Sequence, residues 1–386
     1  MNPARPMHCL HYLGRVRRAD GGVVTAVLDL CAALAEGGVG VTLLTKDATD
    51  VPSHWRASGP RLPRVIELPG LKPGGLNKPA WDQAKREVAR ADLLHLHTPW
   101  DLLNPPLAGL ARSAGVPYAV TLHGMLDHWS VEQGRLKKLK KLLYLKLRAE
   151  RMLRLAASVH CTAEAEREQA SERVSGLRTH VLPCLTRVEW MLAIPRRPAP
   201  PPGGVPPGPM RLLFLSRLHP KKRPEVLIEA LRWLPMVEAT LAGPAEPKYA
   251  ARLRTRAAAA GVAGRIDWPG IIAGEAKLSA YREADVFVLP TQQENFGIVL
   301  IEAMAAGLPV VTTKGVDLWK ELEAAGALIV KPDPEAVAAA IRILMQDPAA
   351  AVERGLQGRR WVQEELVESS LLPRYHAWYR SLLEAA

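Results

Sequence analysis

A chain of 386 residues exceeds what one hydrophobic core usually supports, so we expect two domains and exclude a small disulfide-stapled fold. With 48% hydrophobic and 23% charged residues, the composition is that of an ordinary globular protein rather than a disordered or fibrous one. The net charge is +12, and residues 135–154 carry much of it, since nine basic residues there outweigh one acidic residue by +8.

The cysteines and the N-terminal sequence bear on the cellular location. Four cysteines are scattered without a CxxC pair, which favours neither a zinc ribbon nor a disulfide framework. The N-terminus contains no apolar stretch of signal-peptide length, and no segment approaches the roughly 20 apolar residues of a membrane span. We therefore expect a cytoplasmic protein.

Apolar, β-rich runs alternate with helix-length segments through both halves of the chain. These runs lie at residues 8–14, 39–45, 64–70, 92–98, 118–124, 158–163, 179–184, 210–218, 237–243, 265–270, 285–291, 309–315 and 326–331. Continuously apolar strands separated by helices predict parallel sheets that are covered on both faces. We predict an α/β protein with two doubly wound domains.

The loop after the first predicted strand contains Gly21 and Gly22, directly before a long amphipathic helix. Their N–H groups could meet a ligand beyond the carboxyl end of the strand. A Gly-Gly pair before a helix is a weak signal when taken alone. The loop has no full GxGxxG pattern, which argues against an ordinary dinucleotide dehydrogenase.

Three histidines lie in or after two predicted strands of the first half. His95 and His97 alternate onto one face and could be two ligands of a metal, but the sequence shows no third ligand. His123, in "TLHG", either faces the ligand or is a hydrogen-bonded structural residue. We expect no essential metal; activity that a chelator abolishes and a divalent ion restores would contradict this.

The basic segment at 135–154 has leucines at helical spacing, namely Leu136, Leu139, Leu143 and Leu147. A basic amphipathic helix suits an anionic membrane surface, to which each Lys or Arg contributes about 1 kcal/mol. Alternatively, the leucines face the core and the lysines face water. No nucleic-acid-binding fold or aromatic platform accompanies this charge, so we expect no nucleic acid as a partner.

A proline-rich segment separates the two halves. Eight of its fifteen residues are proline and three are glycine, so it forms neither a helix nor an interior strand. We predict an N-terminal domain at 1–194, this linker at 195–209, and a C-terminal domain at 210–386. The last helix could cross back to the first domain through its aromatic side chains.

The first loop of the second half carries Arg217 and Lys222, between a predicted strand and a helix. Such loops are a usual place for phosphate recognition, and a forked arginine together with a point-charged lysine suits a diphosphate. Alternatively, these are surface basic residues before a helix.

Two carboxylates bracket a helix start in "QENFGIVLIEAMAAGLPVV". The spacing predicts a helix that begins near Gly297 or Ile298, with Glu294 in the loop before it and Glu302 inside it. The first amides could face a diphosphate, Glu302 could accept hydrogen bonds from a ribose, and Glu294 from sugar hydroxyls or the reacting group. Alternatively, Glu294 caps the helix and Glu302 is solvated.

The order of these motifs, namely Gly-Gly before a helix, "TLHG", "SRLHPKK" and "ENFGIVLIEAMAAGLPVV", resembles the glycosyltransferase group 1 family over essentially the whole chain. The Glu-x7-Glu spacing is its most specific part. The resemblance implies a retaining nucleotide-sugar transferase of GT-B fold, with two Rossmann-like domains that face each other across a cleft. In this fold, 1–194 would be the acceptor-side domain and 210–386 the nucleotide-sugar-binding domain. It implies that Arg217 and Lys222 hold the diphosphate, that Glu302 holds the ribose, and that Glu294 lies at the transferred sugar.

The resemblance implies further contacts as well. The Gly21-Gly22 loop would close over the diphosphate and acceptor, the base would pack near Gly270 and Ile271, and His123 would contact the donor sugar or the reacting centre. The catalytic candidates are therefore Glu294, His123, Arg217 and Lys222. The nucleotide-sugar-binding candidates are Gly21, Gly22, Arg217, Lys222, Gly270, Ile271, Glu294, Phe296, Gly297, Ile298 and Glu302.

Two positions depart from the family pattern. Lysine is usually followed by glycine where this chain has Arg223, which puts the conformation of that loop in question. An Asn-Gly common at the interdomain hinge is here Cys184-Leu185. Neither change removes a charged residue that would bind the ligand.

The resemblance and the site residues together imply a retaining hexosyltransferase that moves a sugar from a UDP- or GDP-sugar to an acceptor hydroxyl and requires no cofactor. We expect a glycan or lipid-linked acceptor, a role in cell-surface polysaccharide or glycolipid synthesis, and peripheral attachment to the inner face of a membrane. The alternatives are a catalytically silent sugar-nucleotide-binding or assembly protein, a phosphorylase of similar fold, for which no cofactor lysine is evident, and a nucleic-acid-binding protein.

Overall fold

The computed structural model of the protein describes residues 6–57, 59–68, 71–72, 75–127, 135–195 and 208–385. The chain folds into two compact units. The first comprises Met1–Thr186 and Glu368–Ala386, and the second comprises Arg187–Val367. Each unit is an α/β domain built on a parallel sheet, which confirms the predicted fold class.

The first unit has a parallel main sheet and a short antiparallel hairpin. Its strands are β1 (His8–Tyr12), β2 (Gly40–Thr45), β3 (Arg64–Glu67), the hairpin strands β4 (Leu71–Lys72) and β5 (Gly75–Leu76), β6 (Leu93–His97), β7 (Tyr118–Thr121), β8 (Ser158–Cys161) and β9 (Thr179–Val181). The strand order in the main sheet is β3-β2-β1-β6-β7-β8-β9. The hairpin was not predicted from the sequence.

Helices cover both faces of this sheet. They are α1 (Gly22–Glu36), α2 (Lys78–Arg90), α3 (Asn104–Ser113), α4 (Arg135–Tyr144), a π-helical turn (Leu145–Ala149), α5 (Glu150–Leu155), α6 (Glu164–Arg173) and the C-terminal helix (Glu368–Glu384). Successive strand residues point to opposite faces. Accordingly, Cys9 packs with α1 and the C-terminal helix, while Leu10 packs with α2, α3 and α5.

The second unit repeats this plan. Its strands are β10 (Met210–Leu215), β11 (Val237–Ala242), β12 (Ile266–Gly270), β13 (Val286–Val288), β14 (Val310–Thr313) and β15 (Leu328–Val330), in the order β12-β11-β10-β13-β14-β15. Its helices are α7 (Glu189–Leu192), α8 (Pro224–Ala230), α9 (Pro247–Ala259), α10 (Gly274–Glu283), α11 (Ile298–Ala305), α12 (Trp319–Ala324), α13 (Pro334–Gln346) and α14 (Pro348–Glu365).

The division into units differs from the predicted domain bounds at two places. The C-terminal helix belongs to the first unit, where Tyr375, Trp378 and Tyr379 are buried in its core. Residues 187–194 belong to the second unit, because helix α7 packs against α11. Most of the proline-rich segment, at 196–207, lies outside the described residues.

Each sheet has one point at which the strand order reverses. It lies between β1 and β6 in the first unit, and between β10 and β13 in the second. At such a point, the loops that follow the two neighbouring strands run to opposite faces of the sheet. A crevice forms between them at the carboxyl edge, and ligands of open α/β sheets bind there. The predicted site residues in the loops after β1, β10 and β13 therefore lie beside these crevices.

The basic segment is helical and carries its leucines on the outside. Leu145 and Ala149 are buried against the first unit's core, whereas Leu139, Leu143 and Leu147 are 65%, 56% and 66% exposed. The alternative that the leucine stripe faces the core is therefore wrong for these three residues. No helix within the described residues combines the length and apolarity required to cross a bilayer.

Candidate active site

The loop after β10 brings one buried cation to the edge of the second sheet. Lys222 is buried at the end of this loop, whereas Arg217 is exposed near its start. The carbonyl of Lys221 accepts hydrogen bonds from the backbone N–H of Gln292 at 2.8 Å and from the Thr291 hydroxyl at 3.1 Å. The loops after β10 and β13 are thus tied together, and the surface-residue alternative is wrong for Lys222.

Arg223 adopts the backbone conformation that glycine favours. Its φ and ψ are 53° and 48°, in the left-handed region, directly before α8. A side chain in this region has a steric cost that glycine avoids. The loop therefore keeps the shape that the family's glycine would allow, although an arginine occupies the position.

Glu294 forms an ion pair with Lys222 through its Oε2 atom. Burial would raise the pKa of the Glu294 carboxyl, but the charge and hydrogen bond of Lys222, helped by Lys221 and the Asn295 N–H, hold that pKa below its ordinary value. The backbone of Glu294 is fixed as well, since its N–H donates to the carbonyl of Gly315 at 2.7 Å. At neutral pH this residue is a carboxylate in a fixed position.

Helix α11 begins at Ile298, as the sequence predicted, and Gly297 is its N-cap with a φ of 69°. A Cβ atom on Gly297 would lie 2.8 Å from Leu300 Cδ1 and 3.3 Å from Glu294 Cγ. Glycine is therefore needed for its backbone angle and for space. The first N–H groups of a helix have no intrahelical acceptor, and they carry the positive end of its dipole. Phe296, just before, is buried.

Glu302 is buried rather than solvated, so the solvated alternative is wrong. Lys277 Nζ donates to its Oε1 at 2.5 Å, and the Tyr281 hydroxyl donates to its Oε2 at 2.9 Å. Burial first, and then the neighbouring Glu302 carboxylate, raise the pKa of Tyr281 well above its ordinary value. Lys277 and Tyr281, both on α10, were not predicted from the sequence, in which their i, i+4 spacing is the one signal for them.

The candidates at Gly270 and Ile271 lie at and just after the end of β12. Gly270 has a φ of 74°, and its carbonyl accepts a hydrogen bond from the Gly243 N–H at 2.7 Å. Ile271 is 74% exposed. The apolar side chain of Ile271 is thus exposed to solvent beside the end of a strand.

In the first unit, Gly21 and Gly22 form the start of α1. Gly21 is the N-cap residue, with a φ of 106°, and Gly22 is the first helical residue. The preceding loop is held by an ion pair between Arg15 and Asp20 at 3.5 Å and by a bond from the Arg18 N–H to Asp50 at 2.7 Å. The N–H groups of this helix start are therefore at the carboxyl edge, near the switch point.

His123 occupies a strained turn at the carboxyl edge of β7. It has a φ of 52°, and Gly124 follows with a φ of 68°. Non-glycine residues in this region are uncommon and collect at functional sites. The buried carboxylate of Glu166 fixes the turn: one oxygen accepts the Gly124 N–H, and the other accepts the Thr162 N–H at 2.5 Å. Glu166 was not predicted from the sequence.

His123 belongs to a cluster of buried histidines that spans neighbouring strands. The ring of His97 is hydrogen-bonded on both sides. Its Nδ1 lies 3.2 Å from His123 Nε2, and its Nε2 lies 3.1 Å from His11 Nδ1. His95 and His160 bond the same hydroxyl, that of Thr121, at 2.6 and 2.9 Å. Burial is the largest cause of the lowered pKa of each ring, to about 3 for His11 and His123 and about 4 for His160.

His11 supplies the third histidine that the sequence did not reveal. Ring nitrogens of His11, His95 and His97 lie within 4.8 Å of one another, close enough to share a metal ion. Both nitrogens of His95 are already bonded, however, since Nδ1 lies 2.7 Å from the Tyr379 hydroxyl and Nε2 contacts Thr121. A metal would have to displace one of these partners, so the arrangement favours a hydrogen-bond network.

Two family models match this chain, one in each half. The description "Glycosyl transferase 4-like domain" matches residues 21–185, and "Glycosyl transferases group 1" matches residues 196–361. The chain belongs to the glycosyltransferase group 1 family. Both matched ranges include the loops described above, with Gly21 and His123 in the first range and Lys222, Glu294 and Glu302 in the second.

Relatives and solved structures agree with this assignment. D-inositol 3-phosphate glycosyltransferase of Pseudarthrobacter chlorophenolicus is 29% identical over 367 residues, covering 87% of this chain and 84% of the relative. The fold is that of sucrose-phosphate synthase from Thermosynechococcus elongatus, with a TM-score of 0.75 at 22% identity over 98% and 100% of the two chains. It is also that of Anabaena HepE in complex with UDP-glucose, with a TM-score of 0.73 at 18% identity over 97% and 100%.

Proposed function

We propose that this group 1 glycosyltransferase moves a hexose from a nucleotide-diphosphate sugar to an acceptor hydroxyl with retention of configuration. The observation that carries this proposal is the start of α11, where the left-handed Gly297 and the buried Lys222–Glu294 pair lie beside the N–H groups of Ile298 and Val299, which have no acceptor within the described part of the chain. An anion is stabilised at such a helix start, and a carboxylate beside it suits the hydroxyl groups of a sugar.

The diphosphate would bind to the helix N-terminus and the two cations. Lys222 Nζ has three N–H donors, of which Glu294 takes one, so others can reach phosphate oxygens. Arg217 is exposed and makes no ion pair within the described part of the chain, so its guanidinium is free to bind an oxyanion. Fixed positive groups at the leaving diphosphate stabilise the negative charge that develops in the transition state.

The two carboxylates would bind the sugar and the ribose. Lys277 and Tyr281 take one acceptor position on each oxygen of Glu302, and each oxygen retains a second lone pair for a ribose hydroxyl. Glu294 has one oxygen paired with Lys222, which leaves acceptor positions for hydroxyls of the transferred sugar. The base would pack on the exposed Ile271 beside Gly270.

The first unit would contribute the acceptor side of the reaction. His123 would contact the donor sugar or the reacting centre from its strained turn, and the Gly21-Gly22 helix start would lie against the diphosphate and acceptor. For retention, the departing diphosphate takes the proton of the acceptor hydroxyl on the same face from which it leaves. No cofactor or metal takes part in these steps.

The donor and acceptor classes are supported by the similar proteins. The similar HepE structures are complexes with UDP and with UDP-glucose, which favours a UDP-sugar donor over a GDP-sugar. The similar curated proteins are named for an inositol phosphate acceptor, which is a polyol with a phosphate. A glycan or lipid-linked acceptor in cell-surface polysaccharide or glycolipid synthesis remains our proposal for this chain, and the net positive charge suits an anionic acceptor.

Thermal unfolding with a panel of UDP-, GDP-, ADP- and dTDP-sugars tests the donor site. A ligand at 100 times its dissociation constant stabilises the folded state by about 2.7 kcal/mol, which raises the Tm of a unit of this size by roughly 5–10 °C. We expect one nucleotide to give this shift. Arg217→Ala and Glu302→Gln should abolish it, each measured against its own ligand-free Tm, while Arg252→Ala, on the exposed face of α9, should retain it.

The outcomes separate the alternatives. A selective shift followed by transfer to an acceptor, with the anomeric configuration of the product retained, supports the proposal. A selective shift without turnover on any acceptor would favour a silent sugar-nucleotide-binding protein. Absence of a shift with every nucleotide sugar would contradict the proposal.

We further propose that the basic helical segment attaches the protein to an anionic membrane surface. The exposed Leu139, Leu143 and Leu147 recur every fourth residue, so they form one stripe on the side away from the core. Lys140, Lys146 and other basic residues flank this stripe and are exposed. Leucines that insert at the headgroup boundary, flanked by cations that meet anionic lipid, are the features of an interfacial helix.

Co-sedimentation with vesicles tests this attachment. We expect binding to vesicles of mixed anionic and zwitterionic lipid, and weak binding to purely zwitterionic ones. Serine at Leu139, Leu143 and Leu147 together should reduce binding several-fold, while Ile343→Ser, at a 54% exposed residue of α13, should not. Equal binding to both kinds of vesicle would contradict an electrostatic contribution.

A further inference from the structure

The buried histidines form two separate hydrogen-bonded rows, and each row has a direction set by its donors and acceptors. The first row runs from His11 through His97 to His123. The second runs from Tyr379 through His95, Thr121 and His160 to the carbonyl of Leu182. A neutral imidazole has one N–H donor and one acceptor nitrogen, so each row must run head to tail.

The second row has one possible direction, because it ends on a carbonyl. His160 Nε2 lies 2.7 Å from the carbonyl oxygen of Leu182, which only accepts, so this nitrogen carries the proton. His160 Nδ1 then accepts from the Thr121 hydroxyl, and Thr121 accepts from His95 Nε2–H. His95 Nδ1 accepts from the Tyr379 hydroxyl. Both histidines of this row are therefore Nε2–H tautomers.

The first row has two possible directions, and its buried end distinguishes them. His11 Nε2 is buried and has no hydrogen-bond partner among the described residues. In one direction this atom is an unpaired lone pair, and in the other it is an unpaired N–H. Orphaned buried N–H groups are rarer in proteins than under-satisfied acceptors. The row therefore runs from His11 Nδ1–H to His97 Nε2, and from His97 Nδ1–H to His123 Nε2.

We infer that His97 and His11 are positioning residues that hold His123 as the Nδ1–H tautomer, so that His123 offers the substrate a hydrogen-bond donor rather than a base. This inference rests on the proposed role of His123 in the transferase site. His123 Nδ1 has no partner among the described residues, and the turn fixed by Glu166 holds its ring at the carboxyl edge. The atom it meets is then an oxygen lone pair of the donor sugar or the acceptor.

Ring nitrogen NMR of the protein labelled with ¹⁵N-histidine tests the tautomers without any substrate. Pyrrole-like and pyridine-like nitrogens have well-separated shifts, and the second row supplies an internal reference. We expect His95 and His160 as Nε2–H tautomers and His11, His97 and His123 as Nδ1–H tautomers in one sample at neutral pH. An Nε2–H tautomer at His123 would overturn the inference. So would a saturable effect of Zn²⁺ on His11, His95 and His97, since these rings would then form a metal site.

Variants of His97 test the positioning role. His97→Leu removes the donor to His123 Nε2, so we expect mixed tautomers at His123 and a roughly tenfold fall in kcat/KM for sugar transfer. His97→Asn places an amide N–H near the position of Nδ1 and should restore both. His160→Asn, in the second row, controls for the loss of a buried ring: it should lower the Tm without changing the tautomer of His123.

The two kinds of readout separate this inference from the proposed function. If no sugar transfer is detected, the proposed function fails, while the tautomer pattern still decides the inference. If transfer is detected and His97→Leu changes neither the tautomer nor kcat/KM, the positioning role is wrong and the proposed function stands.

Discussion

The carboxyl edges of the two sheets are built with opposite chemistry. In the first unit, buried and neutral histidines lie in or just after β1, β6, β7 and β8. In the second, the loops and helices beside β10 and β13 hold charged pairs, Lys222 with Glu294 and Lys277 with Glu302. Ten of the eleven histidines of the chain fall in the first unit, and the second contains only His219.

This difference shows what each edge can do. A row of neutral rings gives direction to hydrogen bonds without adding charge, so it suits orientation of sugar hydroxyls. Charged pairs beside a helix start retain unused donors and acceptors, so they suit a diphosphate and a ribose. Both edges hold a non-glycine residue in the left-handed region, at His123 and at Arg223. The same sheet plan thus supports different chemistry through its loops.

The largest expected effect is selective loss of the first unit's stability in acid. Its buried histidines have a lowered pKa in the folded state, so the unfolded state binds more protons than the folded state below about pH 6.5. The free energy of unfolding therefore decreases as the pH is lowered, until the folded pKa of about 3 to 4 is reached. Each buried neutral ring costs about 2 kcal/mol between pH 6.5 and pH 5. Hydrogen exchange with mass spectrometry should show the first unit opening by pH 5.

The second unit is the control for that experiment. The pKa of Glu294 is lowered from 4.5, so its contribution to stability is present at neutral pH and is lost only as the pH falls below about that value. Exchange in the second unit should therefore stay slow at pH 5. Equal opening of both units at pH 5 would show that the histidine cluster does not cause the acid sensitivity.

A methyl group at Gly297 should have the next largest effect. Gly297→Ala forces an alanine into the left-handed region and brings its Cβ within 2.8 Å of Leu300, so we expect about 2–3 kcal/mol of lost stability in the second unit. Urea unfolding measures this. Gly264→Ala is the matched control, because a Cβ there meets no atom within 4 Å. Equal stability of the two variants would show that the helix start tolerates a side chain.

Breaking the buried charged pair should cost about 2 kcal/mol. Lys222→Met leaves the largely buried Glu294 carboxylate without its counter-charge. Because Glu294 retains some contact with water, the loss of unfolding free energy is smaller than for a fully buried charge. Removing the exposed pair of Arg360 and Glu353 through Arg360→Ala should cost less than about 0.5 kcal/mol. If the two variants unfold at the same urea concentration, the Lys222 pair contributes no more than a surface pair.

The smallest expected effect concerns the left-handed Arg223. Arg223→Val places a β-branched residue in a region that excludes it, and we expect a loss of about 1–2 kcal/mol. The free energy of unfolding of Arg223→Gly should lie within about 1 kcal/mol of that of the unchanged protein, since glycine adopts this conformation freely. A valine variant as stable as the glycine variant would mean that the loop relaxes out of the left-handed region.

Local sequence patterns predicted most elements and several site positions. Each predicted strand run contains a strand, because continuous apolar runs report burial on both faces. The start of α11 at Ile298 followed from helical spacing after a glycine. The basic segment shows the limit of such patterns, because its leucine stripe is compatible with either a core-facing or a solvent-facing position. Burial of Leu145 and Ala149 in the core turns the stripe of Leu139, Leu143 and Leu147 towards solvent.

The sequence by itself determined the α/β class and the positions of Lys222, Glu294 and Glu302 near strand and helix ends, since spacing along the chain fixes these. Only the tertiary structure paired Glu302 with Lys277, placed Glu166 under the His123 turn and aligned His11 with His97. These contacts join residues 25 to 86 positions apart. The contacts of the first unit depend on the strand order β1-β6-β7-β8, and the contact of Glu302 with Lys277 depends on how α10 and α11 pack in the second unit. Side chains on separate elements meet according to the sheet order, and local periodicity does not contain that order.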